Sequence, residues 1–84
     1  MTYRLEFTSA AARQFRKLPA SVQARLAPHI AALSENANPP GSKKLKGTDG
    51  SRLRVGNYRI LYEIEHAASL VRIMKVGHRR EVYR

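Results

Sequence analysis

The sequence predicts an α+β domain in which a strand and a two-helix hairpin precede three antiparallel strands, with the helices on one face of a four-stranded sheet. Three observations predict it. Apolar and polar residues alternate at the start of the chain and again in its second half, the period of half-buried strands. Between these stretches apolar residues recur at helical spacing, and clusters of Pro, Gly, Asn and Asp separate the patterned segments.

Tyr3, Leu5 and Phe7 alternate with Arg4, Glu6 and Thr8, which gives the first strand. Thr8 or Ser9 is placed to cap a helix that turns Ala11, Phe15 and Leu18 inward and Arg13, Gln14, Arg16 and Lys17 outward, and Pro19 ends it. Ser21 stands near the start of a second helix with a buried stripe of Val22, Leu26, Ile30 and Leu33. Pro28 falls inside that helix, where its missing amide hydrogen and ring clash predict a bend or a broken turn. Residues 36–50 hold Asn38-Pro39-Pro40-Gly41 and a lysine-rich run around one apolar anchor, Leu45, and read as a linker within the domain.

Ser51 to Val55, the turn Gly56-Asn57 and Tyr58 to Ile64 then form a hairpin. Its register sets Val55 against Tyr58, Arg54 against Arg59 and Leu53 against Ile60. Leu70 to Val76 makes the last strand, apolar on both faces, with Met74 and Val76 assigned inward and Lys75 outward beside the arginines. The sheet face away from the helices is then polar and positive, and function is expected there.

One domain spanning 1–84 accounts for the 84 residues, with a small core. No cysteine is present, so neither disulfides nor thiolate metal sites hold the chain together. No apolar run approaches the ~20 residues that span a bilayer. A cytoplasmic protein without a membrane partner is expected. Sixteen Lys and Arg against six Asp and Glu give a net charge of +10. That field attracts polyanions and favours phosphate contact through counterion release. Arg54 facing Arg59 carries the same implication, because like charges opposed in a ladder are destabilising and call for an anionic ligand such as phosphate.

The runs Leu45-Lys46-Gly47, Arg52-Leu53-Arg54, Gly56-Asn57-Tyr58-Arg59-Ile60-Leu61-Tyr62 and Val76-Gly77-His78-Arg79-Arg80-Glu81-Val82-Tyr83-Arg84 resemble the RelE branch of the RelE/ParE toxin superfamily over essentially the whole chain. The resemblance implies the toxin of a type II toxin–antitoxin pair, an mRNA interferase that cuts messenger RNA in the ribosomal A site. It also implies silencing by a co-expressed antitoxin, whose acidic amphipathic segment is expected to lie on the sheet or the helical hairpin. The toxin alone is then a monomer, and with its antitoxin a hetero-oligomer. By position, Arg59 and Arg79 match the family's catalytic arginines and Tyr83 its C-terminal tyrosine. Arg52 and Arg54 stand where the best-known members carry lysines, and the stretch from Arg79 to Tyr83 is shorter than theirs.

The chemistry is consistent with these residues. Metal-free RNA cleavage needs a 2′-hydroxyl deprotonated, a phosphorane stabilised and a 5′-oxygen protonated. Arginines stabilise the charge. Arg52 and Arg54 stay protonated and serve as clamps, joined by Lys43, Lys44, Lys46, Lys75 and Arg80 as RNA contacts. Tyr83, its phenol acidified by neighbouring cations, is the candidate base, and His78 is its rival as the residue type that titrates near neutrality. No cofactor and no metal site is expected, since no His, Asp and Glu set has ligand spacing. His29 and His66 read as surface residues, Tyr58 and Tyr62 as core. Two other classes fit the sequence: a ParE-like gyrase inhibitor, and a nucleic-acid-binding module without activity.

Overall fold

The computed structural model describes residues 2–47 and 50–78. In chain order they form β1 (Arg4–Phe7), α1 (Ser9–Arg16), α2 (Ala20–Ala32), β2 (Ser42–Lys44), β3 (Gly50–Val55), β4 (Tyr58–Glu65) and β5 (Leu70–His78). The sheet runs β1-β5-β4-β3-β2. β1 lies parallel to β5 and every other pairing is antiparallel. The sheet therefore has five strands where four were expected. The extra one is β2, inside the segment read as linker. Its Ser-Lys-Lys has no apolar alternation to reveal it and is held by backbone pairing to β3, Ser42 opposite Leu53 and Lys44 opposite Ser51. A short, lysine-bearing edge strand also discourages edge-to-edge association.

Local chemistry sets the helix ends. The Thr8 hydroxyl accepts from the Ala11 amide at 3.1 Å, as an N-cap should. Gln23 of α2 donates to the carbonyls of Arg16 and Leu18, at 3.2 and 2.8 Å, satisfying acceptors that the end of α1 leaves over. Of the bend or broken turn expected at Pro28, the broken turn does not occur, for the helix continues from Ala20 to Ala32. Pro28 and Ala24, whose carbonyl loses its helical partner, are both exposed, so the lost bond falls on the solvated side.

The core lies between the helices and one sheet face. Leu26, Ile30 and Leu33 of the stripe, with Ala11, are buried against Leu53, Val55, Ile60, Tyr62, Val71, Ile73 and Val76, while Val22, Phe15 and Leu18 pack at its margin. Each fully buried aliphatic or aromatic side chain contributes roughly 1.5–3 kcal/mol. The Tyr62 hydroxyl donates to the Ala37 carbonyl at 2.7 Å, tying the chain after α2 to mid-sheet, and burial pushes its pKa up.

β5 carries a bulge. Lys75 pairs with Leu61 but Ile73 pairs with Tyr62, so Met74 has no ladder partner. Strict alternation from Arg72 would turn Met74 and Val76 away from the helices and bury Lys75; the extra residue resets the parity. Val76 is buried and Lys75 exposed, as expected, whereas Met74 is the bulged residue rather than an inward ladder position. Beyond the end of β1, the Thr8 hydroxyl donates to the Met74 carbonyl at 3.3 Å and the Gln14 side chain accepts from the Val76 amide at 2.9 Å. These contacts cover a strand edge that would otherwise lack partners.

Candidate nucleic-acid interface

The hairpin sets the site. Gly56 takes φ 60° and Asn57 keeps a negative φ, the pattern of a II′ turn, which fixes the two-residue register. Arg52 then pairs with Leu61, Leu53 with Ile60, Arg54 with Arg59 and Val55 with Tyr58. Leu53, Val55 and Ile60 take the core face, so the arginines take the other. Two rows cross that face. One runs Lys43, Arg52, Leu61, Lys75 and the next Arg54, Arg59, Gly77. Opposed Cβ atoms in such ladders stand about 4.5–5.5 Å apart.

The arginines differ in setting. Arg54 is exposed and Arg52 half-buried, but Arg59 is only 7% exposed, the one charged residue buried among those described. Its neighbour across the β4–β5 ladder, Gly77, has no side chain to compete for the space. A guanidinium removed from bulk water is screened less and acts more strongly on an anion that reaches it.

Other expected contacts divide. Lys43 and Lys75 share the arginine face. Lys44 pairs with Ser51 and has the opposite parity, lining a cleft of about 300 Å³ with Asn38, Ser51, Ile64 and His66. Lys46 lies in the exposed turn after β2. His78 pairs with Tyr58 and meets its ring edge-on at 5.7 Å, on the parity of Val76, which puts it across the sheet from Arg59. Arg79, Arg80 and Tyr83 lie outside the described residues.

Two features escaped the sequence reading. The face is positive at the hairpin end alone. At the other end Glu6, Arg72 and Glu63 form a row of alternating sign, and Arg72 donates to Glu65 at 2.8 Å. Glu65, Glu6 and Glu63 together raise the pKa of Arg72. Only the strand order makes these distant positions neighbours. Arg25 of α2 is the second. A Cβ on Gly56 would stand 2.5 Å from Arg25 Nη2, so this guanidinium rests against the hairpin turn. Its place on the polar side of α2 gave no signal of that contact.

The family model described as "ParE toxin of type II toxin-antitoxin system, parDE" matches residues 5–83. Toxin RelG of Mycobacterium tuberculosis is 34% identical over 88 aligned positions, covering 100% of this chain and 99% of that protein. Among solved structures, a chain of the toxin–antitoxin complex RelBE2 from M. tuberculosis superposes with a TM-score of 0.84 at 30% identity, covering 96% of this chain and 95% of that one. A chain of the archaeal RelE–RelB complex from Pyrococcus horikoshii gives 0.83 at 26% identity, with coverage of 96% and 99%.

Proposed function

This chain belongs to the RelE/ParE family of type II toxins, and from that premise we propose that it is a metal-independent endoribonuclease cutting messenger RNA in the ribosomal A site. The observation that carries the reading is the shared sheet face of Arg52, Arg54, Arg59 and Lys75, with Arg54 opposed to Arg59. A pair of like charges in a ladder is mildly destabilising. An RNA phosphate between or beside the two side chains turns that repulsion into binding.

In the proposed reaction the 2′-oxygen loses its proton to Tyr83 and bonds to the adjacent phosphorus. The bond from phosphorus to the 5′-oxygen breaks, and that oxygen takes up a proton from solvent, to which Tyr83 afterwards releases the one it accepted. The products are a 2′,3′-cyclic phosphate and a 5′-hydroxyl. Arg59 and Arg79 stabilise the charge that builds on the phosphorane oxygens, where aimed donors contribute most. Arg52 and Arg54 hold flanking phosphates, as does Lys43 beside them, with Lys44, Lys46 and Arg80 as outer contacts. His78, across the sheet from Arg59, is the less favoured base.

The chain acts in the cytoplasm, and no helix among the described residues is long and apolar enough to cross a membrane. Its regulator is an antitoxin with an acidic amphipathic segment, which neutralises charge and adds buried area to a small core. The solved relatives from M. tuberculosis and P. horikoshii are themselves toxin–antitoxin complexes. Primer extension on translated messages after induction tests the activity. Discrete cuts within reading frames support it. Intact messages with altered DNA supercoiling favour gyrase inhibition instead, and binding without either effect favours an inactive module.

A further inference from the structure

Leu61 is out of place on its face. It sits between Arg52 and Lys75 in the basic row, yet it is not among the residues packed against the core. Of the apolar side chains at ladder positions on this face, Leu70 is 4% exposed, whereas Leu61 remains half-buried with surface to offer. Its row neighbours are cations one strand away on each side, at about 4.8 Å per strand. An apolar floor between two cations matches one nucleotide, with the base on the leucine and phosphates to either side.

The charge pattern also sets the direction in which a polyanion lies. The row Lys43, Arg52, Leu61, Lys75 and the row Arg54, Arg59 are cationic, while the row beyond Leu61 holds Glu6 and Glu63 around Arg72, which is already paired with Glu65. A phosphate backbone running along the strands meets those carboxylates. One running across them stays on cations. Resting on the RNA-cleaving reading above, we propose that single-stranded RNA crosses β2 to β5 at right angles to the strands and that Leu61 is the platform for one of its bases. The bulge at Met74 belongs to this arrangement, because an unbroken register would set Met74 beside Leu61 and the bulge sets Lys75 there instead.

The simpler role for Leu61 is to support the aliphatic stems of Arg52 and Lys75, which cover apolar surface while their heads stay in water. Both roles lose stability on mutation; only the platform depends on a base. The test uses short RNAs with 2′-O-methyl sugars, which lack the nucleophile, each with one abasic position, and measures binding by anisotropy. Wild-type protein should lose affinity at one position by roughly fivefold, the low end of what a base stacked on an aromatic side chain is worth, since an aliphatic floor offers no more. Leu61→Thr, β-branched and suited to a strand, should bind the intact RNA about as weakly as the wild type binds that abasic one, with no further abasic penalty there. Leu61→Phe should keep or enlarge the penalty. An abasic penalty unchanged in Leu61→Thr, or absent in the wild type, overturns the platform while leaving the RNA reading standing. Failure of the wild type to bind any of these RNAs, free or presented on ribosomes, overturns both.

Discussion

Arg54 and Arg59 are direct partners across the β3–β4 ladder, one exposed and the other 7% exposed. The asymmetry assigns them different work. An exposed guanidinium exchanges freely with counterions and contributes through their release, whereas an enclosed one has a fixed position and acts by aim.

Arg52→Ala and Arg54→Ala should therefore weaken RNA or ribosome binding at low salt and each lower the salt slope of binding by about 0.7, the value for one phosphate on a single strand. Arg54→Ala should also leave the fold intact or stabilise it by roughly 0.2–1 kcal/mol through relief of the opposed charge. Binding titrations over a range of salt and thermal melts measure the two effects. An unchanged slope with a lower melting temperature would make these arginines structural.

Arg59→Ala should reduce cleavage of translated messages by about 10²–10³-fold, the cost of removing one preorganised donor. Arg59→Lys should recover little, since a point charge on a flexible stem does not reproduce the planar fork. The comparison is informative only for variants that still melt cooperatively. A lysine variant with full activity would show that charge alone suffices and that the enclosed geometry is incidental.

Tyr62→Phe leaves the buried Ala37 carbonyl without the 2.7 Å bond and should cost about 1–3 kcal/mol. Burial raises the Tyr62 pKa, so the phenol ionises more readily in the unfolded chain than in the folded one. Stability from this group is complete below the unfolded value of 10.0 and falls as pH rises through the folded value. Denaturation in urea at neutral pH and above pH 10.0 should show a steeper alkaline loss in the wild type than in Tyr62→Phe. Equal losses would mean that this tyrosine is not the one being read.

The hairpin was legible in the sequence because each signal agreed: Gly-Asn at the turn, alternation on both strands, and a register that followed from loop length alone. The stripe of Leu26, Ile30 and Leu33 was legible for the same reason, since burial imposes the helical period. β2 was not, because a three-residue edge strand held by backbone bonds makes no demand on side chains. Nor were the Glu6–Arg72–Glu63 row and the Arg25 contact with the turn, which exist only once the strand order brings β1 beside β5 and lays α2 over the hairpin. No broken turn appears at Pro28 because the carbonyl it leaves without a helical partner, that of Ala24, is on the solvated side of a helix held by its buried stripe.

Gly56→Ala should destabilise the protein by about 1–2 kcal/mol, since φ 60° is a left-handed conformation that a Cβ disfavours. The new Cβ also meets Arg25 Nη2 at 2.5 Å, and the end of a long side chain can move aside. Adding Arg25→Ala to Gly56→Ala should therefore recover only a small part of the loss in chemical denaturation. Full recovery would place the cost in the contact rather than in the turn.

The choice between the two candidate bases follows from strand parity. His78 stands opposite Tyr58 on the side of the sheet where the helices pack, and Arg59 on the other, so one scissile phosphate does not readily meet both. Tyr83→Phe should abolish most cleavage while retaining the ring, and His78→Gln should leave most of it, with EDTA making no difference to the chemical step on an intact ribosomal substrate. Products from the wild type should end in a 2′,3′-cyclic phosphate, resolvable by treatment with a phosphatase that spares cyclic esters. Activity kept in Tyr83→Phe and lost in His78→Gln would transfer the base to the histidine and require the substrate to wrap the sheet edge at β5. Activity kept in both would leave arginine positioning as the source of the rate.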